Sequence, residues 1–120
     1  MQAMGMIQTA AGLFAVAAVG GIVMAAIRMA GKRNPPHWLA MAHGFLAGAG
    51  LTLLVYAALS VGLPGRALTA TVLFALAAGG GVVLNLAYQM KQRPLPVAFM
   101  FGHAALAVVA LLLLLSVAFG

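Results

Sequence analysis

Four apolar stretches, each long enough to cross a bilayer and each closed by helix-breaking residues, constrain this chain more than any other feature. A helix spanning the hydrocarbon needs about 20 apolar residues. Residues 7–29, 37–60, 67–88 and 96–119 meet that requirement. Between them stand Gly31 with Asn34-Pro35-Pro36, then Gly62 with Pro64-Gly65, then Pro94 and Pro96. Glycine and proline at these points end one helix and allow the next to start. The linkers are short, so successive spans form antiparallel hairpins. The first run has no basic leading segment and reads as a span, not a signal peptide. A soluble domain carries about a quarter charged residues. Here the share is 5%, with a mean hydropathy of +1.18. The fold class expected is an all-α integral membrane protein, a four-helix transmembrane bundle.

The charges that remain have one sign. Six residues are Lys or Arg, none is Asp or Glu, and none is Cys. Without carboxylates there is no acid/base pair, no Ser-His-Asp triad, no protein Ca²⁺ or Mg²⁺ cage and no two-metal hydrolase site. Without cysteine there is no disulfide, thiolate zinc site or Cys-ligated iron–sulfur cluster. Three His and eight Met are the side chains left for metal binding. The cations are too dispersed for a nucleic-acid stripe, so no nucleic-acid partner is expected. Arg28, Lys32 and Arg33 follow the first apolar run, and Lys91 and Arg93 follow the third, with Arg66 alone on the other side. The positive-inside rule then puts the two basic loops in the cytoplasm and both termini outside an inner (cytoplasmic) membrane, with the lipid bilayer as the first partner. Trp38 and Tyr88 fall near the same surface, where interfacial aromatics sit.

The chain divides into two equal halves. Laid on residues 61–120 without a gap, residues 1–60 match at 20 of 60 positions. Leu13-Phe14-Ala15 pairs with Leu73-Phe74-Ala75, and Gly20-Gly21 with Gly80-Gly81. Arg33, Pro36 and His43 pair with Arg93, Pro96 and His103. Each half holds two spans and therefore crosses in the same orientation. The expectation is two parallel helical-hairpin repeats, 1–60 and 61–120, related by a pseudo-twofold axis along the membrane normal.

His43 and His103 each lie seven residues after a helix-starting proline. At 1.5 Å per residue each imidazole begins about 10 Å inside the span. An ionisable residue at that depth is a functional candidate. With the second and fourth helices diagonal in a square bundle, their axes stand roughly 13 Å apart. That gap suits a flat macrocycle ligated on both faces. Ala47 and Ala107 follow the histidines by one turn, and Ala17, Gly20, Gly21 and Ala77, Gly79, Gly80, Gly81 lie on the other helices near the same level. Glycine costs about 1 kcal/mol relative to alanine in a helix interior. Runs of it imply that a porphyrin edge or another helix approaches the backbone there.

This layout resembles the transmembrane four-helix bundle of b-type cytochromes. In that family His on the second and fourth helices ligates haem, and Gly on the first and third makes room for the ring. The resemblance implies His43 and His103 as axial ligands of one haem b, with Gly20, Gly21, Gly80, Gly81, Ala47 and Ala107 lining it. Larger members carry two His on each ligand helix and stack two haems; this chain has one per helix. Haem propionates would supply the missing carboxylates, with Arg28 within reach of one and its repeat counterpart Tyr88 of the other. Asn85 sits near the ring level and could bond a ligand His or another helix. Carbonyls one turn earlier, at Leu39 and Phe99, are the expected acceptors for the second imidazole nitrogens. A bis-His iron has no open position, so the function implied is electron transfer and not catalysis, with a quinone or a neighbouring redox subunit as partner.

Plainer readings stand beside this one. A membrane His can simply bond a carbonyl or hydroxyl across a helix interface. His37, in a Pro-Pro-His-Trp turn, reads as interfacial. Gly44-x-x-x-Gly48 reads as helix packing, Met24, Met41, Met90 and Met100 as adaptable filling, and the loop cations as contacts to anionic lipid. A small multidrug-type exporter would need a membrane-embedded Glu, which is absent. The alternative function is a cofactor-free accessory subunit, as a homo-oligomer or within a larger respiratory or photosynthetic complex.

Overall fold

Proline decides where three of the helices start. The computed structural model describes residues 2–31 and 33–120. Pro36, Pro64 and Pro96 each hold the N-cap position with ψ between 120° and 154°. A proline has no N–H to leave unsatisfied at a helix start, and it forces the preceding residue out of helical geometry. Their carbonyls accept the first helical bonds, from Ala40, Leu68 and Met100 at 3.3, 2.9 and 2.9 Å. The helices are α1 (Ala3–Gly31), α2 (His37–Ser60), α3 (Gly65–Val83) and α4 (Val97–Ala118). α3 runs on through a π-helical segment, Leu84–Gln89.

Helix and apolar span are not the same length. α1 starts at Ala3, ahead of the span expected from residue 7, and the polar side chains of Gln8 and Thr9 are satisfied within the fold. Thr9 Oγ1 donates to the Gly5 carbonyl at 2.8 Å, and Gln8 Nε2 to the Ala118 carbonyl at 3.0 Å. The widening of α3 begins where its glycines end: the Leu84 N–H is shared between the carbonyls of Gly80 and Gly81. It finishes in a left-handed Gln92 (φ 54°), with Arg93 N–H returning to the Tyr88 carbonyl at 2.8 Å. That is a Schellman-type ending at a residue other than the usual glycine.

All four helices are long and apolar enough to cross a membrane. α1 packs on α2 and α4, and α3 on α4 and α2, which leaves α2 and α4 diagonal. The bundle measures 43 × 23 × 20 Å, about the depth of a bilayer with its headgroups. Its polarity is inverted relative to a soluble bundle. Ala10, Ala11, Ala17, Ala57, Ala67, Ala70, Ala77, Ala110 and Ala118 are buried, while Ile22, Phe45, Leu59 and Leu112 face outward. Small interior residues let helix backbones approach, which is the main source of association once water is absent.

Two clusters close the interior. Towards the termini, Ile7, Leu54 and Leu114 are fully buried around a stack of Phe14 on Phe74, with centroids 3.6 Å apart and planes 6° from parallel. Gly50 lies against this stack; a Cβ there would stand 2.8 Å from Phe14 Cε2. At the opposite end, Leu84, Leu95 and Met100 form the second cluster. There the two hairpin linkers are hydrogen-bonded together. Asn34 Nδ2 donates to the Arg93 carbonyl at 2.6 Å and its Oδ1 accepts from Leu95 N–H at 3.0 Å. Buried Gln89 donates to the Pro35 carbonyl at 2.6 Å. Both linkers therefore share one end of the bundle.

Phe14→Ala removes half of the aromatic stack and leaves a cavity in the buried cluster. Substitutions of this kind cost about 3–5 kcal/mol. Thermal unfolding of the detergent-solubilised protein should show a lowered midpoint for Phe14→Ala and for Phe74→Ala, with Phe14→Leu intermediate.

Candidate functional site

The site begins with two backbone carbonyls. In a helix the carbonyl of residue i lies under the side chains of residues i+3 and i+4. For Ala17 those positions are Gly20 and Gly21, and for Ala77 they are Gly80 and Gly81. With no side chain overhead, each carbonyl is open to a neighbouring helix. Into that opening α2 places His43 and α4 places His103. His43 Nδ1 donates to the Ala17 carbonyl at 2.7 Å, and His103 Nδ1 to the Ala77 carbonyl at 2.7 Å. The expected acceptors at Leu39 and Phe99 are thus corrected. A carbonyl one turn back lies along the histidine's own helix, whereas the glycines present a carbonyl on the adjacent helix that the ring can meet.

The contacts with the glycines are close. A Cβ at Gly21 would stand 3.2 Å from His43 Cε1, and one at Gly81 3.2 Å from His103 Cε1. At Gly20 and Gly80 the nearest histidine atoms would be 3.9 and 3.7 Å away. What the four glycines admit is therefore an imidazole. Each contact has a counterpart sixty residues later, and the Phe14–Phe74 stack pairs positions with that same offset.

A carbonyl oxygen can only accept, so Nδ1 carries the proton in both rings. In the neutral imidazole the lone pair is then on Nε2. Neither Nε2 has a hydrogen-bond partner among the described residues. The two rings face one another across the interior with centroids 6.3 Å apart and planes inclined by 71°. A single atom held by both would need about 2.0–2.1 Å to each nitrogen plus roughly 1 Å of ring at either side, close to the observed span. Among the described residues no third His, Cys, Asp or Glu joins them.

The surroundings are looser here than elsewhere in the interior. Met24, Ala25, Ala47, Asn85, Ala104 and Ala107 are half-buried, although equivalent positions nearer the termini are closed. Asn85 lies in the π-helical segment, and its Oδ1 is buried with no partner. An orphaned acceptor of this kind costs roughly 1–3 kcal/mol and calls for an explanation. Arg28 Nε donates to the Leu95 carbonyl at 3.1 Å, so this cation ties α1 to the far linker. Tyr88 packs on the Leu84 cluster, with the Arg93 guanidinium 6.0 Å from its ring centre. His37 is exposed at the linker end, away from the pair. The acceptor carbonyls of Ala17 and Ala77 and the π-helical turn were not anticipated. The first was readable as Ala followed by Gly-Gly at i+3 and i+4; the second has no evident sequence signal.

Comparison with protein-family models, curated proteins and solved structures finds no match to this chain.

Filling either glycine notch should displace the imidazole it admits. Gly21→Leu and Gly81→Leu are each expected to abolish the protected Nδ1–H resonance of one histidine in ¹⁵N imidazole NMR spectra. Gly21→Ala, which needs a shift of only a few tenths of an ångström, should retain it.

Proposed function

We propose that this chain is a multi-pass membrane b-type cytochrome, holding one haem b between α2 and α4 and passing electrons within the bilayer. The observation that carries this reading is the matched imidazole pair. Both Nδ1 atoms are tied to carbonyls, both Nε2 atoms are without partners among the described residues, and the ring centroids stand 6.3 Å apart. Second nitrogens fixed by carbonyls are what metal-ligating histidines require. Bound haem would supply a one-electron iron couple. The chain's own part would be to present the two Nε2 atoms, with each ring fixed by its Nδ1–H bond to a carbonyl.

Other features are consistent with the same group. Among the described residues the Nε of Arg28 alone is engaged, which would leave its terminal amino groups for a propionate. Asn85 Oδ1 is a buried acceptor without a partner among the described residues, and Ala47 and Ala107, one turn from the histidines, are small and half-buried. A duplicated hairpin accounts for two ligands at one depth, because the repeat copies the notch and the histidine together. The basic linkers favour the cytoplasmic side for the loop end, with both termini outside the inner membrane. The partner is a quinone or a redox subunit.

A second reading has its own support. Gly44 and Gly48 are exposed on α2 with open space above them. A small-residue face of this kind docks other helices, as an accessory subunit of a larger complex would require.

The purified protein should show a Soret band and, after dithionite, resolved α and β bands. His43→Ala and His103→Ala should each convert or remove that low-spin spectrum while insertion persists. A colourless protein under ample haem supply, or an unchanged spectrum in either variant, rejects the ligand assignment. Topology is testable cleanly because the chain has no cysteine. A Lys91→Cys variant should resist an impermeant thiol reagent in intact cells, and Val61→Cys should react.

A further inference from the structure

The two hairpins differ in one respect that the histidines do not explain. Along α1 and α2 an apolar groove of about 470 Å³ opens on the outer face. Its walls are Val16, Val19, Val23 and Ile27 on α1 and Trp38, Leu39 and Leu46 on α2. In the other hairpin the residue matching Leu39 is Phe99, and its ring lies 3.6 Å from where a Cβ of Gly80 would be. There an aromatic side chain fills the notch; beside Gly20 the space is left open.

The dimensions and chemistry of the groove point to its occupant. From Val16 to Ile27 it follows α1 for about 16 Å, close to half of a hydrocarbon core of about 30 Å. It therefore has the depth of one leaflet. Its lining offers almost no polar surface: the His43 Nδ1 proton is committed to Ala17, and the other ring donor is the Trp38 indole N–H near the loop end. A quinone has carbonyl oxygens on opposite sides of its ring, so a head lodged there would leave at least one unpaired, at a cost. A saturated chain has nothing to satisfy.

The loop end of the groove carries a cation. Gly31 is one turn beyond Ile27 on the same face of α1. The Arg33 side chain folds over it, with Nε 3.1 Å from the site of a Gly31 Cβ. Arg33 is exposed and makes no hydrogen bond among the described residues. The sequence has no carboxylate to pair with it.

We propose that the α1–α2 groove is a specific site for one anionic phospholipid, with an acyl chain against Val16–Ile27 and its phosphate at Arg33. The site stands whether or not the histidines hold haem.

The test is native mass spectrometry of the full chain, released from detergent after equilibration with an equal mixture of phosphatidylglycerol and phosphatidylcholine. Wild type should retain one phospholipid, with phosphatidylglycerol favoured at least several-fold. Leu39→Phe, which copies the other hairpin, should retain none. Val23→Phe, from the opposite wall, should do the same, and either variant suffices if helicity is unchanged. Arg33→Gln should keep a lipid but lose the preference for phosphatidylglycerol. Wild type without bound lipid, a groove-filled variant with undiminished lipid, or a quinone extracted in its place would each overturn the proposal.

Discussion

The hydrogen bond from an imidazole Nδ1 to a carbonyl on the neighbouring helix is the interaction on which the inner architecture turns. It needs three things at once: a carbonyl uncovered by Gly at i+3 and i+4, a helix packed closely enough to use it, and a histidine at the matching depth. Together they set the spacing within each hairpin, the ring orientation and the tautomer. Because the acceptor is backbone, a substitution that alters only the Ala17 or Ala77 side chain leaves it in place. The glycines are the sensitive partners, since a Cβ at Gly21 or Gly81 would already stand 3.2 Å from the ring and any larger side chain would displace it.

The absence of acidic residues shapes the polar contacts in the same direction. With no carboxylate available, three of the four arginines turn to neutral oxygens: Arg28 to the Leu95 carbonyl, Arg93 to the Ala87 carbonyl at 3.4 Å and Arg66 to Ser116 Oγ at 2.9 Å. Such bonds position the chain without cancelling its charge. The net charge of +6 stays uncompensated within the protein, which makes anions outside the chain part of its electrostatics.

Much of the frame was legible because long apolar helices follow few rules. The apolar runs and the prolines located four helices, since a span must satisfy its own backbone and a proline can only start one. The depth of His43 and His103 followed from counting residues from Pro36 and Pro96. The role of the glycines was harder. Gly20-Gly21 and Gly80-Gly81 announce a close approach, but a run of absent side chains does not say what approaches, and here it is a histidine. The π-helical turn was illegible because nothing in Leu84–Gln89 distinguishes that hydrogen-bond register from an α-helical one. Asn34 was also silent: its bonds to Arg93 and Leu95 depend on bringing together linkers about sixty residues apart.

The histidine level lies between two plugs. The Phe14–Phe74 stack with its alanine surround closes one end, and the Leu84, Leu95 and Met100 cluster beneath the bonded linkers closes the other. A bundle packed shut towards both ends and looser at the waist is approached from the side, between helix walls. How far two hairpins can part then sets the access to His43 and His103.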